Sequence, residues 1–282
     1  MKADFAGRAA SWLQPTRQLS DAQTVLENRL AFLVGCCAIA LPLILWLAAR
    51  LPQVCMRDSI SHFFYHPFLG TFFVGILFFI GCFMLALTGE NGNEKYGSSA
   101  AGIGAVVLAT YPTSGDGCEL AGSFAGRPFS QLSRLAPPFE PEGTTHSITP
   151  PDGGSFFAVF PGAENWHMYG AGAVFVFLGI YCLFVMTRVV KGRHRRNGAL
   201  RASKRNRNRL YRICGSVILA CVAVLALKGP ILGETGMVTW NWYNLTFYVE
   251  ALALLAFAVA WFAKGRLFPA LNDTTPRRFS EL

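Results

Sequence analysis

The groups best suited to chemistry gather in one short stretch, Arg57-Asp58-Ser59-Ile60-Ser61-His62-Phe63-Phe64-Tyr65-His66-Pro67. Asp58, His62 and His66 are spaced by four, which on one continuous helix gives them a shared face. Neutral imidazoles with a carboxylate form a common zinc set, and zinc with an open position activates water. Pro67 complicates this reading. It drives His66 out of the helical region and itself suits the first position of a helix. His66 is therefore expected to open a new helix, with 58–65 as a separate interfacial piece. The run Phe63, Phe64, Tyr65 also reads simply as an aromatic belt at a membrane surface.

Two distant groups could join this stretch. His167 stands beside Trp166 and Tyr169 at the start of an apolar segment, where it could face His62 or simply bond a loop carbonyl. Glu250 lies ten positions beyond Trp240, the expected start of the last apolar segment. At about 1.5 Å per residue, that puts it roughly 15 Å deep. An ionisable group at that depth marks a pathway, a site or a buried pair, and Lys228 is its natural partner. The candidate catalytic residues are thus Asp58, Ser59, His62 and Glu250. The candidate metal ligands are His62, His66 and His167; the residues leave the cofactor open, and zinc is one metal such a set would suit.

These groups need a scaffold, and composition indicates its kind. Of 282 residues, 52% are hydrophobic and only 15% charged, and the net charge is +9. Mean hydropathy is +0.37. An ordinary soluble domain has about a quarter of its residues charged. Disordered chains and disulfide-rich mini-domains are excluded as well. Crossing a bilayer takes roughly 20 apolar helical residues. Six stretches are expected to do so, at 31–49, 67–87, 98–111, 166–187, 213–232 and 240–263. The third is short, but its Ala100, Ala101, Gly102, Gly104 and Ala105 suit a closely packed central helix. The expected fold is all-α, a six-helix transmembrane bundle spanning 30–265. It would have an N-terminal segment 1–29, a long outer loop 112–165, a basic inner loop 188–212 and a tail 266–282. Segment 1–29 lacks the continuous apolar region of a secretory signal.

Charge then sets the expected orientation. With both termini inside, the inner segments hold 20 of the 25 Lys and Arg residues, and the outer segments hold 5. This follows the positive-inside rule. Segment 188–212 alone has 11 basic residues and no acid. Such a run could bind nucleic acid, but between spans it reads as an orientation signal touching anionic lipid headgroups. Nucleic acid drops out as a partner. The expected location is a bacterial inner membrane, multi-pass.

Cys55 and Cys118 fall in the first two outer loops and could form a disulfide on an oxidising face. Six other cysteines fall in spans, where a thiol acts as a small hydrophobe. Loop 112–165 is rich in Gly and Pro and holds six acids, and Thr113-Ser114-Gly115-Asp116-Gly117 only loosely suggests a calcium loop. No GxSxG, HExxH or P-loop motif occurs.

A resemblance rests on the order of several loose motifs. Asp58-Ser59-Ile60-Ser61-His62 leads into Phe72-Phe73-Val74-Gly75-Ile76-Leu77, and Ala109-Thr110-Tyr111-Pro112-Thr113 closes the third span. His167 opens the fourth, and the sixth runs from Glu250-Ala251-Leu252 to Trp261-Phe262-Ala263-Lys264-Gly265. Over most of its length the chain resembles uncharacterised bacterial six-span proteins allied to the DRAM/Sfk group. That resemblance implies a topology and no agreed reaction. A weaker one is to the CREST membrane hydrolases, which include alkaline ceramidases. It implies zinc held by Ser, Asp and His, with Ser59 and His62 matching a Ser/His pair and His167 a later ligand. The chain departs from that pattern, because its fifth and sixth spans contain no histidine.

Three functions are compatible with these residues. The first is a non-catalytic membrane component that binds lipid or a protein partner. The second is a metal-dependent hydrolase acting on a lipid or lipid-linked substrate at the outer face. The third is a small proton-coupled transporter using Glu250.

Overall fold

A computed structural model describes residues 21–52, 54–87, 92–111, 166–189, 195–196, 199–200 and 202–272. Six long helices form its frame: α1 (Asp21–Ala48), α2 (Pro67–Ala86), α3 (Gly92–Thr110), α4 (Trp166–Ile180), α5 (Ala202–Trp242) and α6 (Leu245–Lys264). A 3-10 turn, Ser61–Tyr65, precedes α2, and a π turn, Tyr181–Val185, continues α4. Among the described residues, the only strand pairing is a two-residue antiparallel ladder, Arg195–Arg196 with Ala199–Leu200. Loop 112–165 and Cys118 lie outside the described residues, as does segment 1–20.

Five of the helices are long and apolar enough to cross a membrane, which marks the chain as a membrane protein. The exception is α3, the expected third span, whose first turn reads Gly92-Asn93-Glu94-Lys95 and dilutes its apolar character. Its neighbours compensate. It packs between α2 and α4, and its small residues let backbones meet. A Cβ built on Gly170 of α4 would lie 2.7 Å from the Gly104 carbonyl oxygen, and one on Gly102 would lie 2.9 Å from that of Gly81. In lipid, helix association depends on this kind of close van der Waals packing, because tails are as apolar as Leu.

Each helix packs against the next in the chain, and α1 also packs against α6, so the ring closes. The core at its centre includes Leu41, Leu45, Phe73, Met84, Leu178, Ile218, Phe257 and Trp261. The helices alternate in direction, which creates two ends. One end collects the starts of α2, α4 and α6 with His62, His66 and His167. The other collects the ends of α4 and α6 with the start of α5, and is rich in Arg and Lys.

Two boundaries differ from those the sequence suggests. The expected basic loop 188–212 is helical from Ala202 onward, so Lys204, Arg205, Arg207, Arg209 and Arg212 ride on α5. The segment expected to link the last two spans, 228–239, is also part of α5. Helix α5, at 41 residues, is two helical pieces joined across a kink and not one straight rod. It is broken at Gly233, whose φ of 61° and ψ of −173° are not helical. Glycine takes this conformation without a Cβ clash. Pro230 just before it removes a helix donor. A second left-handed residue, Asn244 (φ 52°), turns the chain into α6, which begins at Leu245 and not at Trp240.

Candidate functional site

The histidine end is organised by one carboxylate. Glu250 sits five residues into α6, about 7.5 Å along its axis. That corrects the 15 Å depth expected from a helix starting at Trp240. Its side chain reaches across to the segment before α2. The Ser59 hydroxyl lies 3.0 Å from both carboxylate oxygens, and the Ile60 amide donates to Oε2 at 2.7 Å. Ser59 Oγ in turn accepts from the Ser61 amide at 3.2 Å. So Glu250 and Ser59 satisfy the amides that open the 3-10 turn, as an N-cap does for a helix. The exchange is mutual, because the Asp58 carbonyl accepts from the Phe247 amide at 2.7 Å, in the first turn of α6.

Asp58 and His62 form the second unit. His62 Nδ1 donates to Asp58 Oδ1 at 2.5 Å, with the two side chains 13% and 25% exposed respectively. Burial pushes the Asp58 carboxyl up, but the His62 hydrogen bond and the charges of His62 and Lys228 outweigh it. The carboxyl is held below the ordinary range. The third unit is His167, which is buried and donates from Nδ1 to the Tyr111 carbonyl at 2.7 Å. This bond pins the start of α4 to the end of α3, helped by the Tyr111 and Trp166 rings 6.3 Å apart. His62 lies within electrostatic reach of both His167 and Glu250.

The remaining expected site residues sit elsewhere. His66 is the N-cap of α2, accepts from the Leu69 amide at 3.3 Å and is followed by Pro67 at the first helical position. Burial, aided by the Arg57 charge, lowers its pKa. Lys228 makes no direct ion pair with Glu250. Its ammonium donates to Thr246 Oγ1 at 2.7 Å, and Trp240 Nε1 donates to the same hydroxyl at 2.8 Å. Thr246 was not a sequence candidate. Its position one helical turn before Glu250 was the signal that could have found it. Ile60, Tyr111 and Phe247 contribute through backbone groups, which side-chain identity does not reveal.

Each of the three histidines has Nδ1 on a different partner: the Asp58 carboxylate for His62, the Leu69 amide for His66 and the Tyr111 carbonyl for His167. Among the described residues, no group of three or more His, Cys, Asp or Glu could hold a metal ion. Cys55 is disulfide-bonded, and its expected partner Cys118 lies outside the described residues. No family model, curated protein or solved structure matches this chain.

Proposed function

We propose that the protein is a multi-pass membrane component that binds a polar lipid headgroup at its histidine end without turning it over. One observation carries this reading. The hydroxyl that a hydrolase would use, on Ser59, is engaged on both sides by Glu250 and by the Ser61 amide. Glu250, the base it would need, is likewise filled by Ser59 and the Ile60 amide. These groups hold the fold, and the Asp58–His62 pair beside them keeps part of its surface accessible.

In this reading the helix bundle lies in a bacterial plasma membrane with both termini inside. The histidine end faces outward, as the bias of basic residues and the disulfide at Cys55 support. The anionic inner-leaflet headgroups meet the basic segment 188–212 at the opposite end. A hydrolase is the second reading, favoured by the Asp58–His62 geometry, which is that of a base oriented by a carboxylate.

Incubating the purified protein with phospholipid and resolving the products by mass spectrometry separates the two. Intact lipid retained by the wild type and lost in His62→Ala supports binding. Release of a headgroup or acyl chain that disappears in His62→Ala would establish the hydrolase instead.

A further inference from the structure

The end of α5 is fastened to the start of α6 through one buried hydroxyl. Thr246 Oγ1, in the first turn of α6, accepts from Lys228 Nζ at 2.7 Å and from Trp240 Nε1 at 2.8 Å. On an unbroken helix, the backbones of Lys228 and Trp240 would stand about 18 Å apart along the axis. Here the Lys228 ammonium lies 5.7 Å from the centre of the Trp240 ring. The break at Gly233 bends the second piece of α5 so that both side chains reach the same acceptor.

What this bent piece turns outward is apolar. Ile231 before the break and Val238, Trp242 and Tyr243 after it are 72%, 70%, 79% and 60% exposed. Segment 229–243 carries a single charge, Glu234. The exposed face runs on into α6 itself, where Tyr248 and Leu252 are exposed on a helix apolar enough to cross a membrane. The same end of the bundle carries other exposed aromatics at helix starts, Phe68 on α2 and Tyr169 on α4. Trp and Tyr gather where hydrocarbon meets headgroups, because their rings are apolar and their N–H or O–H groups are not.

We propose that segment 234–243 is an interfacial arm, which lies in the headgroup layer at the histidine end with Trp242 and Tyr243 seated at the hydrocarbon boundary. Its partner is the bilayer. Helical pieces of this kind lie in the plane of the interface and do not cross it. Continuity with the exposed face of α6 favours lipid over a protein partner, and so does the near absence of charge. The Lys228–Thr246–Trp240 junction fixes the angle at which the arm leaves the bundle. The assignment is independent of whether the Asp58–His62 pair binds a headgroup.

The test uses the full chain in phosphatidylcholine nanodiscs and tryptophan fluorescence. Emission of the wild type minus that of Trp242→Phe isolates Trp242, and Trp242→Tyr repeats the subtraction. Trp242 is too exposed for either change to disturb the core, and the melting temperature of each variant checks this. The quenchers are aqueous iodide, phosphatidylcholine brominated near the headgroup and phosphatidylcholine brominated near the chain end. The expected result is loss of most of the Trp242 signal to the headgroup-side bromine, with less lost to the chain-end bromine and little to iodide. Strongest quenching by iodide puts the arm in water and overturns the proposal. Strongest quenching by the chain-end bromine makes the segment part of a span and overturns it too. Quenching by none of the three means that protein, such as a second copy of this chain, covers the face in place of lipid, and this also overturns it.

Discussion

The two ends of the bundle use polar residues in opposite ways. At the arginine-rich end, side chains donate to backbone carbonyls where helices stop. The buried Lys204 ammonium reaches the Met186 carbonyl at 3.1 Å, the Asn208 amide reaches Thr187 at 2.9 Å, and Arg207 reaches Leu271 at 2.8 Å. Cations at helix C-termini satisfy orphan carbonyls and complement the helix dipole. Lys264 lies over the Tyr181 and Trp261 rings, 5.0 and 4.7 Å from their centroids, and donates to the Tyr181 hydroxyl. At the histidine end, a carboxylate does the holding and two ring nitrogens remain over. The lesson is that Lys204 and Arg207, two members of the larger charge cluster, are used to close backbone ends. The smaller, mixed cluster is where unspent chemistry remains.

Four substitutions would break or sharpen that contrast. The largest effect is expected for Glu250→Ala, which strands the Ile60 amide and Ser59 hydroxyl. It should cost about 3 kcal/mol, from two hydrogen bonds to a charged group at roughly 1.5 each. Thermal melting in detergent measures this, and a change within error would mean that Glu250 does not clamp the turn. Lys204→Met at the opposite end keeps the stem and removes the cap, for an expected loss of about 1 kcal/mol in the same assay. A loss matching that of Glu250→Ala would erase the difference between the ends. Lys264→Met should cost less still, about 0.5–1 kcal/mol for a part-exposed cation–π contact.

The smallest effect is a pH effect at His66. Its folded pKa is lowered, so the unfolded chain binds the proton more readily, and stability falls as pH drops below about 6.5. Asp58, also lowered, adds a further loss once pH falls below about 3.9. His66→Asn keeps an N-cap and removes the imidazole. Its melting temperature should therefore decline less than that of the wild type between pH 7 and pH 5. An identical decline would assign the pH dependence to other groups.

Much of this was legible in the residues. Pro67 announces that a helix starts there, and the structure puts His66 at its cap. The spacing of Asp58 and His62 was enough to suggest their contact, even though the 3-10 turn begins only at Ser61. The depth of Glu250 was not legible. Trp240 and Trp242 read as the start of an apolar span, and the turn that ends α5 depends on the left-handed Asn244. Hydropathy averages over such a single residue. The same averaging hid the extent of α5, whose helix breaks at Gly233 and resumes beyond it as far as Trp242. The Lys228–Glu250 pair was a fair expectation from charge, but Thr246 lies one turn closer to the helix start and takes the ammonium.

The central claim is that the histidine end binds a lipid headgroup and the arginine-rich end does not supply that site. Native mass spectrometry of bound phospholipid in wild type, His62→Ala and Lys264→Met tests it most directly. Retention that survives in Lys264→Met and falls about tenfold in His62→Ala is the predicted result. Retention unchanged in His62→Ala but lost in Lys264→Met would contradict it and move the binding site to the other end of the bundle.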